Sequence, residues 1–281
     1  MNTGSRAIIN YSQGAIGNRL LPLSSAYAIS KTENRELYQV WSDSLTSNGT
    51  LAHFRDLFLN EIKELSSKNL SQLNEFVIYN RGSIQRLSSR YGLDDLSDMS
   101  KRGEVRPVAS YEENRSVKNV IIYSDNMVQN SCKKLCQEFI KSLRPIPAIQ
   151  KKIDLENGLL NLSKDIVGVH ARGTDFMEAH GFDVSYYLNK MKSYDSSVVF
   201  FLSTDDPSCE DVICHEFKGR VLTRDRAHLV KSEDGQRWSY NFTITKELSQ
   251  DAIVDIYLLS ETSIEVYHPE STFCQLAKML K

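Results

Sequence analysis

A short apolar run that ends in charged side chains is the most chemically suggestive stretch of the sequence. Residues 167–176 read VGVHARGTDF, so small apolar residues lead directly to His170, Arg172 and Asp175. A guanidinium presents a planar set of donors that matches the oxygens of a phosphate, so Arg172 at a strand end indicates phosphate binding. Two alternatives stay open, a surface ion pair between Arg172 and Asp175 and a core position for His170.

Two more polar clusters follow apolar runs in the second half of the chain. The stretch FFLSTDDP (200–207) places Asp205 and Asp206 between a strand and a helix. One of these aspartates is expected to cap the helix, and the other to accept hydrogen bonds from a ligand. The stretch PEST places Ser271 and Thr272 at the start of the last helix, either as an anion or hydroxyl contact or as a plain cap.

A glycine-containing loop near the start of the chain is a weaker signal. GAIGNR (14–19) follows an apolar run and precedes a helix-forming segment with Asn18 and Arg19 at its beginning. Glycines let the backbone approach a ligand, and a helix N-terminus favours an anion, although a simple tight turn explains the same residues. The stretch lacks the G-x-G-x-x-G pattern of dinucleotide-binding proteins.

These clusters lie between strands and helices that alternate along the chain. Period and turn residues predict strands at 7–12, 36–41, 75–80, 117–124, 165–170, 197–204, 220–224 and 263–268. They predict helices at 20–32, 53–65, 131–143, 184–194, 207–217, 248–262 and 271–280. Residues 81–116 show no clear period and are predicted to form loops and short helices, and 224–246 a polar loop.

The alternation favours an α/β fold with parallel, doubly wound sheets. RPIPAIQ (144–150) carries two prolines and is the best candidate for a boundary, which predicts an N-terminal domain over 1–145 and a C-terminal domain over 146–281. Ligands of such sheets bind beyond the carboxyl ends of the strands, where Arg172 and the other polar clusters lie.

Composition excludes several classes of protein. The chain has 281 residues and a net charge of −2 with no basic stripe, which argues against a nucleic-acid partner. No apolar run approaches the ~18 residues that cross a bilayer, and the first residues do not form a signal-peptide pattern. Five scattered cysteines indicate a reduced, intracellular chain.

Other catalytic and metal-binding motifs are missing from the sequence. Cys132 and Cys136 lie one helical turn apart, but no second pair follows to complete a zinc site. There is no G-x-S-x-G elbow and no P-loop. There is also no Asp-x-Asp, a common way to hold a divalent metal beside a nucleotide diphosphate, so we expect no metal cofactor.

Four stretches together resemble the superfamily of α1,2-, α1,6- and protein-O-fucosyltransferases, nearest its α1,6 and nodulation-type branch. GAIGNRLLPLSSAYAIS resembles the first loop and helix of that family, and VGVHARGTDF its His-x-Arg-Arg-x-Asp motif. FFLSTDDP resembles the next strand with its acidic pair, and AIVDIYLLSETSIEVYHPESTFCQLAKML the closing helix–strand–helix unit. The resemblance covers nearly all of the second half but only about the first 41 residues of the first half.

The resemblance implies a GT-B fold, with two facing Rossmann-like domains, and an inverting, metal-independent glycosyltransferase. The C-terminal domain would bind the nucleotide sugar and the N-terminal domain the glycan acceptor. Arg172 would hold the β-phosphate, and the remaining donor-side residues would be Asn18, Arg19, His170, Asp205, Asp206, Asp255, Ser271 and Thr272. Asp175 would shape the same loop as His170.

Two departures from the family pattern affect these expectations. The second arginine of the motif is Gly173 here, and Pro22 suggests that the first helix begins later than usual. GDP-fucose is the donor that the family implies, and a UDP-sugar such as UDP-xylose is the alternative. A nucleotide-sugar or glycan-binding module without turnover is a further alternative, for which Gly173 is the hint.

The chemistry of sugar transfer explains why an arginine is needed at this strand end. Cleavage of the bond from sugar to diphosphate leaves negative charge on the β-phosphate, which Arg172 and helix N-termini would stabilise in place of a metal. The acceptor hydroxyl needs a general base, for which Asp175, Glu178 and His180 are the candidates. The absence of a membrane-anchoring segment predicts a cytoplasmic enzyme, of a bacterium or of a virus in its host.

Overall fold

The protein consists of two compact α/β units. A computed structural model describes residues 6–12, 14–41, 52–65, 75–80, 105–107, 111, 117–128, 131–173, 177, 181–226 and 244–281. The first unit contains the described residues from Arg6 to Arg144 except Ala52, which belongs to the second unit together with the residues from Pro145 onward. No helix in the described ranges is long and apolar enough to cross a membrane.

Among the described residues of the first unit, six parallel strands form one sheet. They are β1 (Ala7–Ser12), β2 (Glu36–Trp41), β3 (Lys63–Glu64), β4 (Phe76–Asn80), β5 (Val105–Pro107) and β6 (Asn119–Tyr123). Their order in the sheet is β3-β2-β1-β6-β4-β5. The central strands β1 and β6 are apolar runs rather than alternating patterns because both of their faces are buried.

Two described helices accompany this sheet, α1 (Ile16–Thr32) and α2 (Lys133–Ser142). The expectation that Pro22 delays the start of the first helix is wrong, since α1 begins at Ile16 and runs through Pro22. A proline inside a helix removes one backbone hydrogen bond. Burial of most of α1, from Ile16 to Ser30, against the sheet and α2 offsets that loss.

The helix expected over 53–65 is also absent from the structure. Phe54–Asp56 form a single 3₁₀ turn, and Lys63–Glu64 form β3, which pairs with β2. Phe54, Leu57 and Phe58 are buried, and their spacing is that of one face of a helix. A single turn is enough to bring three residues at this spacing to the same side. The carboxylate of Asp56 accepts a hydrogen bond from the backbone N–H of His53 at 2.8 Å and closes the turn.

The few described residues of the stretch 81–116, which is predicted to form loops and short helices, include one strand. Val105–Pro107 add β5 to the edge of the sheet by pairing with β4. An edge strand needs hydrogen bonds on one side alone, which explains why the sequence VRP with its proline forms one without a clear apolar pattern. Apart from Tyr111, the rest of that stretch lies outside the described residues.

In the part of the second unit that the structure describes, four parallel strands form a sheet in the order β10-β7-β8-β9. They are β7 (Val167–Ala171), β8 (Phe200–Thr204), β9 (Val221–Leu222) and β10 (Ser263–Val266). The helices are α3 (Pro147–Leu160), α4 (Ser185–Lys192), α5 (Pro207–Glu216), α6 (Lys246–Glu261) and α7 (Thr272–Leu280). Two separate parallel sheets confirm the predicted α/β fold class.

Strand β7 at the centre of this sheet has two different faces. Val167, Val169 and Ala171 point into the core beneath α4 and α5. Gly168 and His170 point to the opposite face, where a Cβ atom on Gly168 would lie 2.2 Å from Oγ1 of Thr262. The close approach of the chain at Gly168 explains the glycine, and the alternation places His170 against the last helix.

Candidate functional site

Arg172 is the first residue beyond the carboxyl end of β7. Its side chain is 28% exposed, and its Nε lies 3.7 Å from Oδ2 of Asp205, which follows β8. Its backbone N–H donates to the hydroxyl of Tyr187 on α4 at 3.2 Å. The backbone of Arg172 is therefore held by the core, while the guanidinium stays accessible to a ligand.

Asp205 connects the ends of β7 and β8. Its Oδ1 accepts a hydrogen bond from the backbone N–H of Gly173 at 2.8 Å, and its Oδ2 faces Arg172. A partly exposed pair at 3.7 Å contributes only about 0–1 kcal/mol, so a phosphate can replace Asp205 as the partner of Arg172. Asp205 is thus one described partner of Arg172, and the alternative of a pair with Asp175 involves a residue that lies outside the described residues.

Asp206 has the structural role that one aspartate of the pair was expected to take. It is 8% exposed and caps α5, with its Oδ1 accepting from the backbone N–H of Ser208 at 2.9 Å. Pro207 occupies the first helical position, where the missing N–H costs nothing. The contribution of Asp206 to a ligand site is therefore to fix the helix that begins there.

Gly173 occupies a position too tight for a side chain. A Cβ atom there would lie 2.5 Å from Cβ of Asp206, 2.9 Å from Oδ2 of Asp206 and 3.0 Å from Cβ of Cys209. Real Cβ atoms do not approach that closely, so α5 would have to move to admit any larger residue. The missing second arginine is therefore explained by packing.

His170 and Ser271 join the end of β7 to the start of α7. Nδ1 of His170 lies 3.2 Å from Oγ of Ser271, which also accepts from the backbone N–H of Cys274 and so caps α7. The His170 ring stacks on Phe273, with centroids 4.5 Å apart. Burial lowers the pKa of His170 to about 3, helped by the charge of Arg172, so the ring is neutral at neutral pH.

The structure shows the interpretation of Ser271 as a helix cap, whereas its contact with an anion or hydroxyl group of a ligand stays a prediction. Its hydroxyl is a helix cap, and it also contacts His170 inside the site. Thr272 is the first residue of α7 and is partly exposed, at a helix N-terminus that favours an anion. Because β10, β7 and β8 are neighbours and parallel, the residues beyond their carboxyl ends lie along one edge of the sheet.

Asp255 on α6 is the centre of a buried ion cluster. Its Oδ1 accepts from Nε of Arg224 at 2.5 Å, and its Oδ2 from a guanidinium N–H of Arg226 at 2.9 Å. The hydroxyl of Ser203 on β8 donates to the same Oδ2 at 2.7 Å. Both carboxylate oxygens are thus engaged within the unit, so the influence of Asp255 on a ligand passes through the residues that it holds.

Arg224 and Arg226 were missed by the sequence-based reasoning. Arg224 also donates to the backbone O of Asp251 at 2.8 Å, and Arg226 to the backbone O of Leu202 at 2.8 Å. The available signal was the pair of arginines in LTRDR directly after a strand, the same position beyond a carboxyl end that singled out Arg172. Both side chains are almost fully buried.

The two candidates from the first unit support the loop between β1 and α1. Arg19 is fully buried, and its Nε donates to the backbone O of Gly14 at 2.7 Å while its guanidinium lies over the ring of Trp41. Burial lowers the pKa of Arg19 to about 10. The side chain of Asn18 covers Gly14, whose φ of +75° favours glycine.

The three candidate bases, Asp175, Glu178 and His180, lie outside the described residues. Within the described ranges, no group of three or more His, Cys, Asp or Glu side chains could hold a metal ion. The described part of the site therefore consists of a partly exposed arginine with the carboxylate of Asp205 beside it, a neutral histidine and two helix N-termini. Such a set binds an anion with several oxygens.

Similarity to known proteins was found in the fold. No protein-family model matches the sequence, and no curated protein sequence matches it at a significant level. The fold is similar to that of the fucosyltransferase NodZ from Bradyrhizobium, with a TM-score of 0.64 and 20% identity over 99% of this chain and 94% of that one. The NodZ α1,6-fucosyltransferase co-crystallised with GDP aligns with a TM-score of 0.64 and 19% identity, over 99% and 93% of the two chains.

A plant enzyme has the same fold. A mutant of Arabidopsis thaliana FUT1 in complex with GDP aligns with a TM-score of 0.56 and 14% identity, over 100% of this chain and 69% of that one. These similarities confirm, at the level of the fold, the resemblance to fucosyltransferases and the GT-B class that it implied.

Proposed function

We propose that the chain is an inverting, metal-independent glycosyltransferase that transfers a sugar from a nucleotide sugar to a hydroxyl group of a glycan. The observation that carries the proposal is Arg172, a partly exposed guanidinium fixed by its backbone at a strand end, next to Asp205. The N-cap Ser271 of α7 is joined to the same strand through His170. An arginine and a helix N-terminus are suited to a diphosphate.

The proposed donor is GDP-fucose, bound by the second domain, residues 146–281. NodZ α1,6-fucosyltransferase has been co-crystallised with GDP and soaked with GDP-fucose, and this chain shares its fold. The first domain, residues 1–145, would then bind the acceptor. A UDP-sugar such as UDP-xylose is the second candidate, because Asp255, which the resemblance assigned to base and phosphate contacts, is engaged on both oxygens by arginines.

In the proposed reaction, an oxygen of the acceptor attacks the anomeric carbon of the donor. The bond from that carbon to the β-phosphate oxygen breaks, and its electron pair stays on the phosphate. Arg172 stabilises this charge, worth roughly 3–4 kcal/mol for one well-placed donor. The acceptor proton passes to a base on the opposite face, for which Asp175, Glu178 and His180 remain the candidates.

The packing around Gly173 weakens the alternative of a binding module without turnover. That alternative depended on a missing arginine, which would indicate a site that has lost part of its charge. In the structure, Gly173 is required because Asp206 and Cys209 fill the space of any side chain. The presence of one arginine rather than two in this loop is therefore consistent with the packing of Asp206 and Cys209 against Gly173.

The test combines nucleotide binding with turnover. A nucleotide present at 100 times its dissociation constant stabilises the protein by about 2.7 kcal/mol, so thermal shifts with GDP, UDP and NAD identify the base, with NAD as the negative control. Release of free nucleotide from donor plus acceptor measures transfer. A protein that is stabilised by neither GDP nor UDP would contradict the proposal.

A further inference from the structure

Two consecutive backbone N–H groups directly beyond β7 are hydrogen-bonded to side chains instead of to a neighbouring strand. The N–H of Arg172 donates to the hydroxyl of Tyr187 at 3.2 Å, and the N–H of Gly173 donates to Oδ1 of Asp205 at 2.8 Å. Tyr187 belongs to α4, whereas Asp205 follows β8. The backbone that carries the Arg172 side chain is therefore fixed by two separate elements.

The pattern of strand pairing explains why a side chain supplies the acceptor for Arg172. The pairing of β7 with β10 ends at Val169 and that with β8 ends at Ala171, so both ladders stop before Arg172. A backbone N–H in a partly buried residue needs an acceptor, because leaving it without one costs free energy. The phenolic oxygen of Tyr187 meets this need, which a phenylalanine of the same shape would not.

Tyr187 is suited to hold a backbone in place because its ring is fixed in the core. Tyr187 and Met191 lie one turn apart on the inner side of α4, and both are fully buried. Their cluster includes Val169 and Ala171 of β7. Burial raises the pKa of Tyr187, so its hydroxyl stays neutral and keeps a lone pair for the N–H of Arg172. A rigid side chain thus places its single polar atom at Arg172.

Tyr186, the preceding residue on α4, carries the same hydroxyl group in a different setting. Its side chain is partly exposed, and its hydroxyl accepts from Nζ of Lys190 at 2.7 Å and donates to the backbone O of Tyr267 at 3.3 Å. The hydroxyl of Tyr187 therefore contacts the backbone of Arg172, whereas that of Tyr186 contacts α4 itself and the residue after β10. The two tyrosines form a matched pair for testing what the contact with Arg172 does.

Stabilisation of charge in a transition state depends on the exact placement of the donor group. A displacement of about 1 Å can lower a rate by up to ~10²-fold. We propose that Tyr187 is a positioning residue for sugar transfer, whose hydroxyl fixes the backbone of Arg172 and thereby holds the guanidinium at the β-phosphate. This inference rests on the proposed function, which assigns Arg172 to the β-phosphate.

A double-mutant cycle tests this inference through the release of free nucleotide from donor plus acceptor. Tyr187→Phe removes the hydroxyl but keeps the ring in the core, and Tyr186→Phe is the matched control. We expect Tyr187→Phe to lower kcat/KM per folded molecule about three- to tenfold, and Tyr186→Phe to leave it within about twofold of the wild type. In the Arg172→Ala background, Tyr187→Phe should cause no further loss, because no guanidinium is left to position.

A purely structural role for Tyr187 predicts a different result. Tyr187→Phe would then lower the melting temperature and leave kcat/KM per folded molecule unchanged, which overturns the inference. Equal losses from Tyr187→Phe with and without the Arg172 side chain overturn it as well, because Tyr187 would then act independently of Arg172. A wild-type protein that transfers no sugar contradicts the proposed function instead, and removes the role of Arg172 on which the inference rests.

Hydrogen exchange of the wild-type protein covers the case in which Tyr187→Phe does not fold. The backbone amides of Arg172 and Gly173 should both exchange slowly, because each is hydrogen-bonded to a side chain. Protection of the Arg172 amide, measured by NMR, supports the inference. Exchange of that amide at the rate of an unprotected peptide overturns it.

Discussion

The two units place an arginine near the carboxyl edge of their sheets in contrasting ways. In the first unit, Arg19 is fully buried, donates to the backbone O of Gly14 and lies over Trp41. In the second unit, Arg172 keeps 28% of its side chain exposed and has a weak partner in Asp205. Burial assigns Arg19 to holding a loop, whereas the exposure of Arg172 supports its proposed role in binding a ligand.

The same distinction separates the carboxylates of the second unit. Asp255 and Asp206 are buried and saturated by arginines or by a helix N-terminus, whereas Asp205 is 26% exposed. The comparison teaches that the type of residue beyond a strand end indicates chemistry, but its exposure decides between support and contact. Variants of buried charges should therefore change stability, and variants of exposed charges should change turnover.

The largest effect is expected for Asp255→Asn. This change leaves Arg224 and Arg226 buried beside a neutral side chain and should lower the free energy of unfolding by about 3–5 kcal/mol. Urea denaturation measures the loss, with Asp225→Asn as the control because Asp225 is exposed next to the same arginines. A stable Asp255→Asn protein with reduced nucleotide binding would place Asp255 among the ligand contacts. It would contradict the rule that buried charges support the fold and exposed charges contact the ligand.

Arg172→Ala should have an effect of similar size in free energy, but on turnover rather than on stability. Loss of charge stabilisation on the β-phosphate should lower kcat/KM by ~10²–10³, and Arg172→Lys should restore only part because it lacks the planar set of donors. The melting temperature should hardly change, because the pair with Asp205 is weak. A folded Arg172→Ala protein with near-normal kcat/KM would remove the basis for the phosphate site.

Arg19→Met tests the role of the buried arginine in the first unit. Met keeps the apolar stem but leaves the backbone O of Gly14 without its buried donor, which should cost about 1–3 kcal/mol of stability. Turnover per folded molecule should be retained, as for Arg55→Met, a control at an exposed arginine of the same unit. Normal stability with lost turnover would instead support direct contact of Arg19 with the donor.

The buried His170 should make stability depend on pH. Its pKa is about 3 in the folded protein and ~6.5 in the unfolded chain, so its contribution is fully present above pH 6.5 and is lost as the pH falls toward 3. At pH 5.5 the wild type should have lost about 1.4 kcal/mol relative to His170→Gln. Urea denaturation of both proteins between pH 5 and 8 measures this, with His215→Gln as the control at an exposed histidine.

Removal of divalent metal should have the smallest effect. The sequence has no Asp-x-Asp, and Arg172 with the helix N-termini is proposed to stabilise the diphosphate in place of a cation. Turnover should therefore be equal with and without EDTA. Loss of activity in EDTA that manganese restores would show that a cation shares the role assigned to Arg172.

The alternation of apolar runs with helical segments was sufficient to predict the strands of both sheets, except β3 and β5. These two are short edge strands of two and three residues, which leave too little pattern to recognise. The prediction of a helix at 53–65 was wrong because the helical spacing of Phe54, Leu57 and Phe58 is also produced by a single turn. The start of α1 was misplaced because packing against the sheet outweighed the effect of Pro22.

For the candidate site, residue type and position beyond a strand end singled out Arg172, Asp205 and Ser271, which lie beyond the carboxyl ends of β7, β8 and β10 in the structure. The sequence could not distinguish the buried Asp255 from the exposed Asp205, because exposure depends on residues that pack from distant segments. Arg224 and Arg226 were missed for the same reason, since their partner Asp255 is about thirty residues away along the chain.

The close approach of Gly173 to α5 also constrains how this protein can change over evolution. Because a side chain at 173 would collide with both Asp206 and Cys209, a second arginine cannot be gained by one substitution. The start of α5 would first have to shift, and Asp206 fixes that start as its cap. Positions 173, 206 and 209 are therefore mutationally interdependent, and lineages with one or with two arginines in this loop should be separated by coordinated changes at all three.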